Sequence, residues 1–511
     1  MDIETVIRES QVETLSENLQ FQTETGKQQF FKQLRFFTAN QEALRRRQSA
    51  IVQFQTKVKE GTKEHLDSLF QRAASLETKW KIFTEKSDVE KNSYEQLTFS
   101  SWVWAQILNT VPFVLLALSY FKLYVVPFLA ILTPVFMFIM PYIILVYMYK
   151  LPLTFLQYKD LLLGMMGIQS QNFWTPKNIM QMGITGFSIV QNIVQPIQNA
   201  IHLQTIDKDL VERGACVEEL AIILKEMNAY IPVSNPLEEI AERQSDPHRT
   251  FAETWDIPFR FQYAIQLLGD AEVIYRLATS PVKPVFFTST PSIVLVNAYD
   301  PLLKKGVPFT LELFLTEPHN CILTGPNRGG KSSFLRATLL NIVLAQTFGF
   351  TYSDVCVLKP VNWIATGLRL EDRPGKSSFF EREVEFATSI LKRAQQYPNQ
   401  VGLVLFDELF HSTNPPDGTR TAKLFLENLW KQPNVYSIIS THVFEIARNA
   451  PLDVIRLCVP ATKNEQGDIQ FTYTLQKGIC EISSVDSILK EKGLLTSAVF
   501  NAPENRQEKE R

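Results

Sequence analysis

The sequence has few cysteines and no closely spaced pair of them. The five cysteines are scattered along the chain, and no two form a CxxC pair. A disulfide framework and a zinc site are therefore not indicated, and a reducing compartment is expected. The chain also lacks a basic excess, because 51 Lys and Arg residues stand against 53 Asp and Glu residues, for a formal net charge of -2. This balance argues against a dedicated nucleic-acid-binding protein.

Proline is absent from the first part of the chain, where the first proline is Pro112. Residues 4–95 are rich in charge, and their apolar residues recur at intervals of three and four, which predicts amphipathic helices. The acidic, polar N-terminus does not have the pattern of a secretory signal. We therefore expect a helical domain over residues 1–95.

Charge is absent from two long stretches that follow. Residues 96–121 and 123–149 are uncharged runs of 26 and 27 residues, separated by Lys122 alone. A membrane-spanning helix needs about 20 apolar residues. We predict a transmembrane helical hairpin over residues 96–149 that turns near Lys122. The lipid bilayer would be a partner, and both flanking parts would lie on the cytoplasmic side. The alternative is an apolar hairpin buried inside a soluble oligomer.

The secondary structure that the sequence predicts changes at about Pro281, from helices alone to alternating strands and helices. Residues 178–206 are also uncharged, but Gln and Asn alternate with apolar residues, which favours a helix packed on protein or lying on the bilayer surface over a third span. Helical patterns predict an all-α lever or core domain over residues 150–280. Short β-branched runs that alternate with helices then predict an α/β domain over residues 281–495, with a polar tail over 496–511.

A phosphate-binding loop is the strongest motif in the α/β domain. The segment Gly325–Ser332 reads GPNRGGKS, with an apolar strand before it and a helix after it. Glycines let backbone N–H groups close on the phosphates of ATP, Lys331 would reach the β/γ-phosphates, and Ser332 would ligate Mg²⁺. The nucleotide-binding residues predicted here are Gly325, Pro326, Asn327, Gly329, Gly330, Lys331, Ser332 and Ser333.

A second motif supplies the carboxylates that such a loop requires. The run VGLVLFDE predicts a buried strand that ends in Asp407 and Glu408. Asp407 would hold Mg²⁺, and Glu408 would polarise the attacking water. His442 follows another strand, VYSIIST, and could detect the γ-phosphate, although a lone histidine is usually structural.

Four ordered segments resemble the ATPase domain of the MutS family of DNA mismatch-repair proteins. They are TGPNRGGKSSFLR, GKSSFFEREVEFA, LVLFDELFHSTNPPDG and STHVFEIA. The resemblance implies a head-to-tail homodimer with two composite ATP sites. Ser377 and Ser378 would complete the partner's site, and Thr413 would lie in a loop that crosses the interface. Phe309 would stack on adenine and Tyr473 on its other face, although a plain core aromatic is as good an explanation for both.

The resemblance predicts an ABC-type, MutS-like P-loop ATPase domain preceded by an all-α core that the transmembrane hairpin interrupts. The chain starts where the family's helical core starts, so we expect a truncated member without mismatch-recognition and connector domains. Phe410 and His411 stand where the family usually has Gly and Arg, so hydrolysis is expected to be slow. A membrane-anchored ATPase is the first hypothesis. A DNA-binding repair or tethering factor at a membrane is the alternative, with DNA as a partner by resemblance alone, and a transporter-like ATPase is disfavoured.

Overall fold

A computed structural model describes residues 3–57, 60–80, 83, 92–99, 107–166, 174–231, 234–315, 319–369, 378–463, 469–484, 488–489 and 491–492. The chain divides into two compact units. Residues 1–63 and 269–511 form one, which we call the mixed unit, and residues 64–268 form the other, which we call the helical unit. The predicted polar tail over 496–511 lies outside the described residues.

Helices dominate up to residue 279 and strands begin after it, as the residue pattern of the sequence predicts. In chain order the helices are α1 (Ile3–Ser10), α2 (Val12–Asn18), α3 (Glu24–Leu34), α4 (Gln41–Lys57), α5 (Glu60–Trp80), α6 (Val114–Phe138), α7 (Met140–Ile143), α8 (Phe155–Met165), α9 (Pro176–Asn228), α10 (Glu238–Glu242), α11 (Pro247–Asp256), α12 (Pro258–Thr279), α13 (Lys331–Phe348), α14 (Phe379–Gln396), α15 (Pro415–Leu429) and α16 (Phe444–Arg448). The strands are β1 (Lys283–Pro284), β2 (Phe286–Phe287), β3 (Ser292–Ala298), β4 (Phe309–Phe314), β5 (Asn320–Thr324), β6 (Phe350–Thr351), β7 (Val355–Leu358), β8 (Trp363–Gly367), β9 (Gly402–Phe406), β10 (Val435–Ser440), β11 (Val454–Cys458), β12 (Ala461–Lys463), β13 (Ile469–Phe471) and β14 (Gln476–Lys477).

A six-stranded sheet in the order β14-β11-β5-β10-β9-β8 forms the centre of the mixed unit. Its strands run parallel except β14, which pairs antiparallel with β11 at the edge. Strands β5, β9 and β10 are buried along their whole length, as expected for parallel strands covered on both faces. The register brings the carboxyl ends of β5, β9 and β10 to one edge, where ligands bind in open α/β sheets.

A second sheet, in the order β2-β7-β3-β4, lies in the same unit. Helix α13 is buried on almost every side, with apolar residues all round it and polar side chains such as Asn341 and Gln346 also buried. The phosphate-loop segment therefore leads directly into the most deeply buried helix of the unit, and this arrangement fixes the position of the loop.

The N-terminal helices belong to the mixed unit, which differs from the predicted domain over residues 1–95. The ring of Phe30 stacks on Phe348 of α13 with centroids 5.5 Å apart. Glu9 is buried, accepts hydrogen bonds from Thr366 Oγ1 at 2.6 Å and Leu368 N at 2.9 Å, and has a pKa raised by its burial. The boundary falls at residue 63, inside a continuous helix, where composition gives no signal.

The helical unit has an aromatic core and a close helix contact. Phe251 of α11 packs against Phe83 and Tyr94, with ring centroids 5.4 and 4.8 Å away. Helix α9 runs for 53 residues and approaches α11 at Gly214. A Cβ there would lie 2.0 Å from the Pro247 carbonyl oxygen, so only glycine allows this approach.

The predicted hairpin turn near Lys122 is wrong. Helix α6 runs without a break from Val114 to Phe138, and residues 121–125 form a π-helical turn inside it. A single lysine among apolar residues does not end a helix, since its helix propensity is high. Among the described residues, α6 is the one helix that is long and apolar enough to cross a membrane, judged by length and composition. Residues 100–106 of the predicted first span lie outside the described residues.

Candidate functional site

The phosphate loop connects β5 to α13 and depends on its glycines. Gly325 has φ of 150° and Gly330 has φ of 102°, both values that residues with a side chain rarely adopt. A Cβ on Gly325 would also lie 2.9 Å from the Val459 carbonyl oxygen. The loop therefore keeps one shape, with the N-terminus of α13 directed at it. A helix N-terminus favours an anion such as a phosphate.

Lys331 is the first residue of α13 and lies over the loop. Its Nζ donates hydrogen bonds to the carbonyl oxygens of Gly325 and Pro326, each at 3.1 Å. Burial lowers the pKa of Lys331, and the negative charges of Asp407 and Glu408 oppose that shift. The loop thus holds a cation at the point where a phosphate chain would enter.

A cavity of about 480 Å³ opens beside the loop. Loop residues and the first turn of α13 form one wall, and the two aromatics Phe309 and Tyr473 both line the same cavity. Phe309 is buried against Phe334, with ring centroids 4.7 Å apart, whereas Tyr473 is 52% exposed. The structure therefore brings together two aromatic residues that are far apart in the sequence.

Two carboxylates follow β9, which is separated from β5 by β10 in the sheet. Ser440, at the end of β10, donates a hydrogen bond from its hydroxyl to Asp407 Oδ1 and accepts one from Glu408 N at 3.0 Å. His442 Nε2 lies 3.2 Å from Glu408 Oε1. This contact with His442 lowers the pKa of Glu408, so the carboxylate is ionised at neutral pH.

The oxygen donors at this site fit Mg²⁺. Among the described residues, no group of three or more His, Cys, Asp and Glu side chains could hold a metal ion. The hydroxyl of Ser332 is exposed at the start of α13, and Asp407 is half-buried beyond β9. Mg²⁺ prefers one or two protein oxygens together with substrate phosphates and water, which is the set that this site offers.

Comparisons with known proteins identify the family. MutS domain V matches residues 321–508, which begin in β5 and include the loop and both carboxylates. The DNA mismatch repair protein Msh6 of Gallus gallus is 26% identical over 361 residues, covering 64% of this chain and 26% of the relative. The DNA mismatch repair protein MutS of Leuconostoc citreum is 31% identical over 257 residues, covering 48% of this chain and 29% of the relative.

Residues 321–508 thus match MutS domain V, and the chain is related by sequence to the MutS family. The matched region spans between a quarter and a third of the length of these relatives. The matched region is a MutS-like ATPase domain. At the level of the family, the match supports ATP with Mg²⁺ as the ligands.

Two of the predicted MutS signature residues lie outside the cavity. Ser378 is exposed and caps α14, where its hydroxyl accepts a hydrogen bond from Glu381 N at 3.2 Å. Thr413 is half-buried in the segment before α15 and does not line the cavity. Ser377 lies outside the described residues. A single chain does not test the prediction that these residues complete the ATP site of a partner subunit.

Sequence reasoning missed several residues that the fold brings to the site. Ser440 bridges Asp407 and Glu408, and Lys304 and Lys305 also line the cavity. In the sequence, the only signal for Ser440 is its position at the end of a buried strand. The only signal for Lys304 and Lys305 is that two lysines are adjacent before β4.

A buried carboxylate links the signature helix to the segment after Glu408. Glu383 of α14 accepts a hydrogen bond from the Ser412 hydroxyl, and its Oε1 lies 3.4 Å from His411 Nδ1. His411 Nδ1 also lies 2.9 Å from the Glu408 carbonyl oxygen. The histidine that departs from the usual MutS sequence thus lies between this carboxylate and the backbone of the site.

Proposed function

We propose that the protein is a membrane-attached MutS-type ATPase that binds ATP with Mg²⁺ and hydrolyses it. The meeting of Lys331 and Glu408 at one 480 Å³ cavity, with the charge of Asp407 close enough to act on Lys331, carries this proposal. Phe309 and Tyr473 would hold the adenine ring at that cavity, because aromatic rings stack favourably on a base.

The site residues divide the chemistry among them. Lys331 would leave its carbonyl partners and neutralise the β/γ-phosphates, and the loop amides would bind the same oxygens. Ser332 and Asp407 would hold Mg²⁺, which stabilises the charge on the phosphate oxygens. Glu408, ionised beside His442, would accept a hydrogen bond from the attacking water. His442 would respond when a γ-phosphate enters, and its 3.2 Å distance from Glu408 supports this role.

The working form would be a head-to-tail homodimer. Ser377, Ser378 and Thr413 would complete the ATP site of the second copy. The position of Ser378 and Thr413 outside their own chain's cavity supports this arrangement. Binding of ATP would then bring the two ATPase domains of the dimer together and move the helical units.

The sequence favours a membrane as the structure on which the ATPase acts. Helix α6 is 25 residues long, has a mean hydropathy of 2.0 and has 11% of its most apolar window buried. A helix of this length can cross a hydrocarbon layer of about 30 Å. The ATPase domain would lie on the cytoplasmic side, where ATP is available.

DNA binding is the second candidate, because the two relatives are named as DNA mismatch repair proteins. The net charge of -2 does not favour it.

The experiment that separates the two is ATP hydrolysis by the full-length, detergent-solubilised protein, with and without homoduplex, mismatched or branched DNA at low salt. Salt-sensitive DNA binding with stimulated turnover would favour the DNA role. Turnover that is indifferent to DNA is the expected result, and absence of turnover would contradict the ATPase proposal.

A further inference from the structure

Helices α6 and α9 lie side by side in the helical unit and run in opposite directions. At one end, Phe113 N donates a 2.8 Å hydrogen bond to Asp246 Oδ2, just before α6 begins. His248, two residues after Asp246, lies with its Nε2 2.9 Å from Asp207 Oδ1 in α9. The start of α6 and residue 207 of α9 are thus tied to the same helix terminus, that of α11.

The opposite ends also meet. An apolar cavity of about 340 Å³ is lined by Phe138 and Ile139, where α6 ends, and by Met182, Gly186 and Ile189 of α9. The end of α6 therefore contacts the first third of α9, which requires an antiparallel arrangement. This pairing differs from the hairpin predicted within residues 96–149.

Charged residues bound a long uncharged stretch on each side of this helix pair. Lys122 and Lys150 enclose 27 uncharged residues on the α6 side, and Lys177 and Asp207 enclose 29 uncharged residues in α9. An α-helix of 27 or 29 residues is about 40 or 43 Å long at 1.5 Å per residue. A bilayer has a hydrocarbon core of about 30 Å and measures about 40–45 Å with its headgroups. Each uncharged stretch therefore matches the thickness of one bilayer.

Apolar side chains on both helices are directed outward. Phe128 and Ile131 of α6 are 59% and 53% exposed, and Met180 and Phe187 of α9 are 69% and 66% exposed. Val190, Val194 and Ile201 continue this exposed surface along α9. An apolar surface of this extent marks a contact with lipid or protein. The charge-free length favours lipid.

We propose that α6 and residues 178–206 of α9 cross the bilayer together as an antiparallel pair. Lys150 and Lys177 would then lie on the far side, opposite the ATPase domain. The proposal rests on the membrane attachment proposed above and assigns the second span to a helix that composition alone does not select. The glutamines and asparagines of α9 lower its hydropathy, but uncharged polar side chains occur in membrane helices that contact other helices.

The test is side-specific labelling of single cysteines in the full-length protein expressed in bacterial membranes. The wild type serves as the blank, because its cysteines are buried. Trp174→Cys reports the far side, and Lys208→Cys reports the ATPase side; Trp174 is 84% exposed and Lys208 is exposed. Lys122→Cys distinguishes the proposal from a hairpin that turns at residue 122. A membrane-impermeant maleimide is applied to spheroplasts and to inverted vesicles.

In spheroplasts we expect labelling of Trp174→Cys alone, and in inverted vesicles labelling of Lys208→Cys. Labelling of Lys122→Cys from outside, or of Trp174→Cys from the ATPase side, would overturn the pairing while leaving membrane attachment intact. Recovery of the wild type in the soluble fraction after carbonate extraction would instead contradict the attachment itself. The two failures are therefore distinguishable.

A different observation carries a second inference. A stripe of uncharged polar residues runs along α9 at intervals of four and three, and every member is exposed. Its members are Ser188, Asn192, Gln195, Asn199 and His202. This is the spacing of a coiled-coil seam, and it lies on a different face from the exposed apolar residues. Gln191 and Gln198 border it.

We infer that this polar stripe contacts the same stripe of a second copy of the chain. Asn, Gln and Ser both donate and accept hydrogen bonds, so identical stripes satisfy each other, and polar side chains hold membrane helices together in this way. Two copies in one bilayer with the same orientation are related by a twofold axis along the membrane normal. Equivalent residues would therefore meet in register.

Oxidative cross-linking of single cysteines in native membranes tests this contact. Asn192→Cys and Gln195→Cys should form disulfide-linked dimers, whereas Phe187→Cys and Val190→Cys, on the apolar face, should stay monomeric. Cross-linking of the apolar-face variants alone, or of none of the four, would overturn the inference. Because the readout is a covalent dimer, it does not depend on ATP turnover.

Discussion

Replacement of Glu408 by Gln tests the chemistry of the site directly. The change keeps the shape of the side chain and removes the charge that, in the proposed mechanism, orients the attacking water. Loss of such a group typically costs 10²–10⁴-fold in rate. This corresponds to about 2.7–5.4 kcal/mol of barrier at about 1.36 kcal/mol per tenfold. The 3.2 Å contact with His442 keeps Glu408 ionised at neutral pH, so the full effect is expected at pH 7.

The measurement is steady-state phosphate release together with equilibrium binding of a fluorescent ATP analogue. We expect kcat to fall by at least about 100-fold while affinity for the nucleotide stays close to that of the wild type. Glu427→Gln, an exposed change on α15, is the matched control and should leave both unchanged. Wild-type turnover in Glu408→Gln would refute the assignment of the water-activating role.

The pH dependence of turnover gives an independent check. In the proposed mechanism activity requires the carboxylate form of Glu408, so we expect activity to be lost as pH falls through the pKa of this residue in the folded protein. His442 lowers that pKa, and the loss should therefore occur below the pH expected of an ordinary glutamate. His442→Ala removes the partner and should move the acidic limb of the kcat profile to higher pH. An unmoved limb would contradict the coupling.

Three further predictions follow from the mixed unit. Lys331→Ala should weaken both ATP binding and turnover, measured with the same two assays, because it removes the buried cation of the loop. Gly325→Ala should lower the free energy of unfolding by about 1–3 kcal/mol, since it forces a side chain into a strained backbone conformation beside Val459. A thermal shift with ATP equal to that of the wild type would show that the loop still binds normally. Phe30→Ala should cost about 3–5 kcal/mol in urea unfolding, whereas Phe36→Ala, at an exposed position, should cost less than about 0.5 kcal/mol.

The chemistry of the loop could be read from local sequence. A glycine-rich turn between a buried strand and a helix needs particular residues at fixed spacing, because the phosphates contact consecutive backbone amides. The strand that ends in Asp407 and Glu408 is similarly local. For this reason the sequence was sufficient to predict a MutS-like ATPase domain, and the comparisons support it.

The tertiary structure decided which distant segments meet. Phe309 and Tyr473 line one cavity although 164 positions separate them in the chain, and Ser440 reaches Asp407 only because β9 and β10 pair in register. The first 63 residues join the mixed unit through a buried ring stack that composition does not reveal.

Composition determined that a long part of the chain lacks charge, but it could not determine how the uncharged segments pair. Hydrophobicity is a property of each segment, whereas pairing depends on the direction in which helices run and on side chains that meet from distant positions. The sequence alone therefore specified a nucleotide site and an apolar region. Only the packing of α6 against α9 showed which two stretches form one antiparallel pair.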